Sequence, residues 1–217
     1  MAQLRRCGLQ QLLQARIQLL STGERKGGIR LWGWGRNGQR RLIAVAPLSP
    51  VVLGYNGVME LPALSDPLLE SWMARLLRCA ASAGQNGEIP VAAAVLDARG
   101  RCIGWGSNRR EQQADPLGQA ELVALGQAAR LLGDWRFNHC TLLVTLEPCP
   151  MCAGALIQAR MGRVVFGAGD AKRGALGGCL NLASDPSAHH PMQVHGGLLA
   201  RQASQQLSDW FRLRRQR

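Results

Sequence analysis

Nowhere in the 217 residues do about 18 apolar residues run uninterrupted, the length a membrane-spanning helix needs. The best candidate, Leu42 to Leu64, is broken by Pro47, Pro50, Asn56, Glu60 and Pro62. No secretory leader is legible, because Gln10, Gln11, Gln14 and Arg16 interrupt the first apolar stretch. These absences predict a cytoplasmic protein without membrane association. A disulfide framework is missing as well. The seven cysteines, at 7, 79, 102, 140, 149, 152 and 179, are odd in number, and only Cys149 and Cys152 lie close together. Scattered thiols with one CxxC pair fit a reducing compartment. No internal repeat is present.

Acidic residues and lysine are scarce too. Twenty-six Lys+Arg face 14 Asp+Glu, a net charge of +12, and only two of the 26 are lysine. Such a balance favours polyanionic partners. Guanidinium groups suit phosphate contacts and stacking, although an arginine bias is also produced by genome composition. The hydrophobic share of 47% excludes wholesale disorder. At about 150 residues per domain, the length suggests one domain with an extension, or two small ones.

Residues 1–65 differ from the rest, with nine basic and two acidic side chains. Met1 to Leu20 has the apolar spacing of an amphipathic helix, and Gly23 to Arg41 is rich in Gly and Arg around Trp32 and Trp34. The segment reads as a loosely ordered basic extension; an RNA-contacting arm and an organelle transit peptide are the alternatives. From Asp66 the pattern is regular. Asp66 and Pro67 read as N-cap and first turn of a helix to Ala83. Pro90–Asp97 and Arg101–Gly106 read as a hairpin, and Asn108–Leu117 as a polar loop. Helices follow at Gly118–Leu132, Pro150–Arg160 and Leu198–Arg215, with strands at Thr141–Leu146, Arg163–Phe166 and Gln193–Gly196. Gly167–His190 reads mostly as loop. This order predicts a three-layer α/β domain on a mixed sheet over 66–217.

The sharpest local signal is Glu147-Pro148-Cys149-Pro150-Met151-Cys152, which leaves a buried strand and enters a helix. Two sulfurs at a helix N-terminus favour thiolate, for zinc or for redox chemistry. Glu121 lies in the first turn of the preceding helix, where a carboxylate ordinarily just complements the helix dipole. Joined to a P-C-x-x-C, it matches the pattern in which zinc deaminases use a non-ligand Glu as proton shuttle.

Residues 66–217 resemble the bacterial tRNA-specific adenosine deaminases of the TadA type, within the cytidine/deoxycytidylate deaminase superfamily. The resemblance rests on Ile89-Pro90-Val91, Asn108-Arg109, the run Leu143 to Ala155, the run Phe166 to Ala175, and Trp210 to Arg215. It implies a three-layer cytidine-deaminase-like fold and hydrolysis of adenosine to inosine at the wobble position of a tRNA anticodon. A homodimer and one Zn2+ per subunit are implied as well. Carried over to the matching positions, Glu121 is the proton shuttle, and Cys149 and Cys152 are metal ligands. Asn108 contacts the nucleoside and the Ala120 N–H holds the base. Asp170 and Lys172 meet the neighbouring nucleotides, while Phe211, Arg214 and Arg215 grip the anticodon stem-loop. Without the resemblance, the C-terminal arginines would simply complement a helix end.

One position departs from the pattern. Gln119 stands where the family has its zinc-binding His, and a neutral amide is a weaker zinc donor than imidazole. His139, His189, His190 and His195 match no ligand position. The departure is consistent with a weakened site completed by Gln119, with a non-catalytic RNA-binding or assembly subunit, or with a one-base His-to-Gln codon change. A deaminase of free bases or nucleosides is a further alternative.

Overall fold

The computed structural model describes residues 64–216, together with the backbone of 30–34 and 40–44. The chain divides into two units, Met1–Glu60 and Leu61–Arg217. In the first, β1 (Arg30–Trp34) pairs antiparallel with β2 (Arg40–Ala44), Trp32 opposite Leu42. The strands carry the β-favouring Trp32, Trp34 and Ile43. They fall where the sequence reading placed no strands. The helix expected over Met1 to Leu20 lies outside the described residues.

The second unit is built on a five-stranded sheet of order β4-β3-β5-β6-β7. These are β3 (Ala92–Leu96), β4 (Cys102–Ser107), β5 (Thr141–Leu146), β6 (Arg163–Ala168) and β7 (Gln193–Gly196). β3 is antiparallel to β4 and β5, whereas β5, β6 and β7 run parallel, so the sheet is mixed as expected. Helices α1 (Asp66–Gln85) and α5 (Ala200–Arg215) cover one face. Helices α3 (Ala120–Leu132) and α4 (Pro150–Gln158) cover the other. β3 and β6 are buried along their whole lengths, as strands covered on both faces must be.

Several boundaries differ from the sequence reading. The N-cap of α1 is Ser65 rather than Asp66, because the Ser65 carbonyl accepts the first helical N–H groups, from Leu68 at 3.0 Å and Leu69 at 3.1 Å. The loop after β4 holds a one-turn helix, α2 (Arg110–Gln113), tied down where the buried Glu88 accepts the Gln112 N–H at 2.9 Å. β6 runs two residues further, to Ala168, because Leu146 pairs with it. The long loop contains a 3₁₀ turn at Leu182–Ser184.

α3 lies unusually close to β4. Ala120, Ala124 and Ala128 are fully buried against it, and Gly104 and Gly106 face them from the strand. A Cβ at Gly104 would meet the Ala128 nitrogen at 2.7 Å and its Cβ at 2.8 Å, and would come closer still to the Ala124 carbonyl. Gly104→Ala must therefore push the helix away from the sheet. Overpacking of this kind costs about 1–3 kcal/mol. The variant is expected to show a lower urea midpoint, and, since α3 carries Glu121, lower activity as well. An unchanged midpoint would mean that the helix shifts freely.

Candidate active site

The chemistry-bearing residues meet where two helices begin. β5 ends at Leu146, and Cys149 is the N-cap of α4 with Pro150 in its first turn. Gln119 is the N-cap of α3, and Glu121 stands in that helix's first turn. Both helix N-termini thus lie beside the carboxyl ends of β5 and β6, where ligands of open α/β sheets typically bind. A cavity of about 380 Å³ opens there, lined by Gln119, Glu121, Cys149, Asn108, Asp170 and Phe211 among others.

Glu121 is 3% exposed, and its Oε2 has no hydrogen-bond partner. Burial pushes its carboxyl up to about 7, and the neighbouring Cys149 sulfur adds to the rise. The two sulfurs share one proton unequally. The Cys152 thiol holds Cys149 down to about 5, against burial and helped by the N–H groups of Cys152 and Met151 and the Arg173 guanidinium. Cys152 is pushed well up, first by Cys149, then by burial and by Glu121. Glu121 thus lies close enough to both sulfurs to feel their charge, and Cys149 is the sulfur disposed to ionise. The opposite arrangement, with Glu121 and the cysteines on different sides of the sheet, would have excluded deaminase chemistry.

This donor set fits zinc through its sulfurs, since a thiolate at a helix N-terminus is a natural zinc ligand. The unpartnered Glu121 oxygen fits a water beside such an ion. Gln119, whose side chain makes no capping hydrogen bond, lines the cavity at the position where the family has its His. Among the described residues, no three His, Cys, Asp or Glu side chains form a metal-holding group. None of the four histidines lines the cavity.

The expected substrate contacts divide. Asn108, Asp170 and Phe211 line the cavity. Asn108 and Ala120 are joined directly: Asn108 Oδ1 accepts the Ala120 N–H at 3.0 Å, and Asn108 Nδ2 donates to the Ile89 carbonyl at 3.1 Å. Lys172 does not line the cavity; Arg173 does. Arg214 is turned away, over the Trp210 ring at 4.4 Å, donating to the Gly87 carbonyl at 2.8 Å. Arg215 is exposed at the helix end. The cause is the placement of α5. Gln206, Trp210 and Arg214 bond the Leu77, Gly84 and Gly87 carbonyls, which turns Ser204, Leu207, Ser208 and Phe211 to the cavity. Of this set, at helical spacing, only Phe211 was expected from the sequence; Ser204, Leu207 and Ser208 were not. A larger groove of about 690 Å³ runs between α1 and α5 but contains no cysteine.

The signature of the cytidine and deoxycytidylate deaminase zinc-binding region matches residues 67–168. The tRNA-specific adenosine deaminase of Haemophilus influenzae is 42% identical over 147 residues, 68% of this chain and 85% of that protein. That of Bacillus subtilis is 39% identical over 143 residues, 66% of this chain and 88% of that protein. A solved structure from studies of A-to-I editing by tRNA:A34 deaminases at the wobble position of transfer RNA aligns with a TM-score of 0.60 at 35% identity. It covers 63% of this chain and 99% of the other.

Proposed function

The chain belongs to the family of tRNA-specific adenosine deaminases, and from that membership we propose that it converts adenosine to inosine at wobble position 34 of a tRNA anticodon. The observation that carries the proposal is the meeting of Glu121 and Cys149 at one cavity, with the buried Cys152 beside both.

Zinc held by Cys149 and Cys152, with Gln119 at the third position, supplies the Lewis acidity that makes water reactive near neutral pH. The protein's own part is proton transfer and placement. Glu121 is a buried carboxyl aimed into the cavity, a group suited to give and take a proton. Glu121 takes a proton from the attacking water and passes it to the ring nitrogen. The water oxygen bonds to C6; Glu121 then takes the remaining proton from the new C6 hydroxyl and delivers it to the exocyclic nitrogen, whose bond to C6 breaks to release ammonia and leave the C6 carbonyl. The Asn108–Ala120 pair fixes the start of α3 against Ile89, so the base enters a preset slot. Phe211 offers a ring for stacking an unpaired base, the usual mode for single-stranded loops.

The reading extends to a homodimer in the cytoplasm. Leu117, Met151 and Leu180 are exposed and give a second copy apolar surface to cover. No helix among the described residues is long and apolar enough to cross a membrane.

The test is inosine formation in an anticodon stem-loop with adenosine at position 34. Conversion at that single position is expected, with binding that weakens steeply as salt rises. A zinc-loaded protein that deaminates free adenosine, guanine or cytosine and leaves the stem-loop intact would refute the assignment. Gln119 favours one other reading, a non-catalytic RNA-binding subunit. Stem-loop binding by a protein that cannot be loaded with zinc would establish it.

A further inference from the structure

Glu147 has no part in the chemistry above, yet it is 4% exposed at the cavity's edge, two residues before Cys149. Its carboxylate has no ion-pair partner among the described residues; backbone N–H groups satisfy it instead. Oε2 accepts from Asp170 at 2.9 Å. Oε1 accepts from Leu176 at 2.9 Å and Gly178 at 2.8 Å. Three N–H donors from one loop wrapped on a carboxylate are a strong, directional anchor. Two glycines make the approach possible, since a Cβ at Gly174 or Gly178 would run into the same carboxylate. The main chain repeats the attachment: Pro148 accepts the Ala175 N–H at 2.9 Å, and Ala168 accepts that of Glu147 at 2.8 Å.

The anchor is passed onward. Asp170, held by Glu147, accepts the Lys172 N–H at 2.9 Å and the Arg173 N–H at 3.0 Å through its own Oδ1. Gly169, Asp170 and Arg173 form one wall of the cavity that holds Glu121 and Cys149. Asp170 is partly exposed and Arg173 exposed, so this wall continues to the mouth. When a target base fills the cavity, its chain neighbours lie at that mouth. There an acceptor (Asp170) and a donor (Arg173) are placed to read base edges.

We propose that Glu147 is a positioning residue that determines which nucleotides are accepted beside the target base, by fixing the Gly169–Arg173 wall. The inference rests on the tRNA deaminase reading. It is tested with Glu147→Gln, which preserves shape and the Oε1 acceptor but sets an NH₂ group against the Asp170 N–H. Two readouts are taken. Hydrogen exchange at the Asp170 amide is expected to accelerate at least about ten-fold. The spread of affinities across stem-loops varied only at the two nucleotides flanking position 34 is expected to shrink at least five-fold. A merely structural role would lower the melting temperature and scale all affinities alike. Should Glu147→Gln fail to fold, Gly178→Ala presses on the same contact from the loop side, its Cβ 2.5 Å from Glu147 Oε2. Unchanged exchange, or an unchanged spread of affinities, overturns the proposal. So does a native chain that binds the stem-loops without discriminating among them. A native chain that binds no stem-loop overturns the tRNA deaminase reading and this inference together.

Discussion

Gln119→His is expected to tighten zinc binding by at least about ten-fold, and to raise inosine formation wherever zinc occupancy limits the rate. The expectation follows from donor chemistry. Loss of a residue that only orients a ligand costs about 10–100-fold in metal affinity, so restoring a ligand should recover no less. Imidazole is a good zinc donor, while a neutral amide oxygen is a poor one. The position is ready for the exchange. Gln119 caps α3 by its backbone alone, so its side chain is not needed to hold the helix. Competition against a chelator of known affinity, run on both proteins, measures the difference. Equal affinities would show that the amide already serves as a full ligand. A variant that gains zinc but forms no inosine would remove the deaminase assignment altogether.

Glu121→Gln is expected to lower the deamination rate by about 10²–10⁴-fold, the usual contribution of general acid–base catalysis, with zinc content and stem-loop affinity retained. Gln fills the same space and cannot carry the proton. The same substitution has a pH signature in the metal-free protein. Burial raises the Glu121 carboxyl from 4.5 to about 7. Below about pH 4.5 it is neutral in both folded and unfolded chains and costs nothing. Between 4.5 and 7 the unfolded chain ionises while the folded one resists, so stability falls as pH rises, by up to about 3 kcal/mol above pH 7. Glu121→Gln should flatten that slope, as read from denaturant midpoints at pH 5 and pH 8. A slope equal to that of the native chain would mean that Glu121 ionises freely in the fold. Retention of full activity would end its role as shuttle.

Much of this was legible because the informative contacts are local. The stripe Leu68, Leu69, Trp72, Met73, Leu76, Leu77 and Ala80 marks α1; Leu68 and Leu77 are half-buried and the other five buried. The Ala-rich β3 and the strand Gln193–Gly196 follow from runs bounded by turn residues. Glu121 and the two cysteines were legible as a set because each stands at the start of a helix and together they match the zinc-deaminase pattern. What stayed hidden depends on long-range choices. Arg214 carries the same charge whether it faces RNA or Trp210, and only the docking of α5 on α1 decides. Arg173 replaces Lys172 at the cavity because the Asp170 turn rotates the chain between them. Glu147 stood in plain view within the motif, yet its partners lie 23 to 31 residues away. A carboxylate at the end of an apolar strand was the one available hint.

The docking of α5 has a mechanical consequence. A helix tied along one side to carbonyls of α1 and of the turn that follows it, and lining the cavity with its other side, behaves as a lever. A push on the cavity side of this helix, at Phe211, is met directly by the C-terminal half of α1 and its following turn. Shortening the chain before Gln206 would unseat the fulcrum and strip away a chamber wall in a single step.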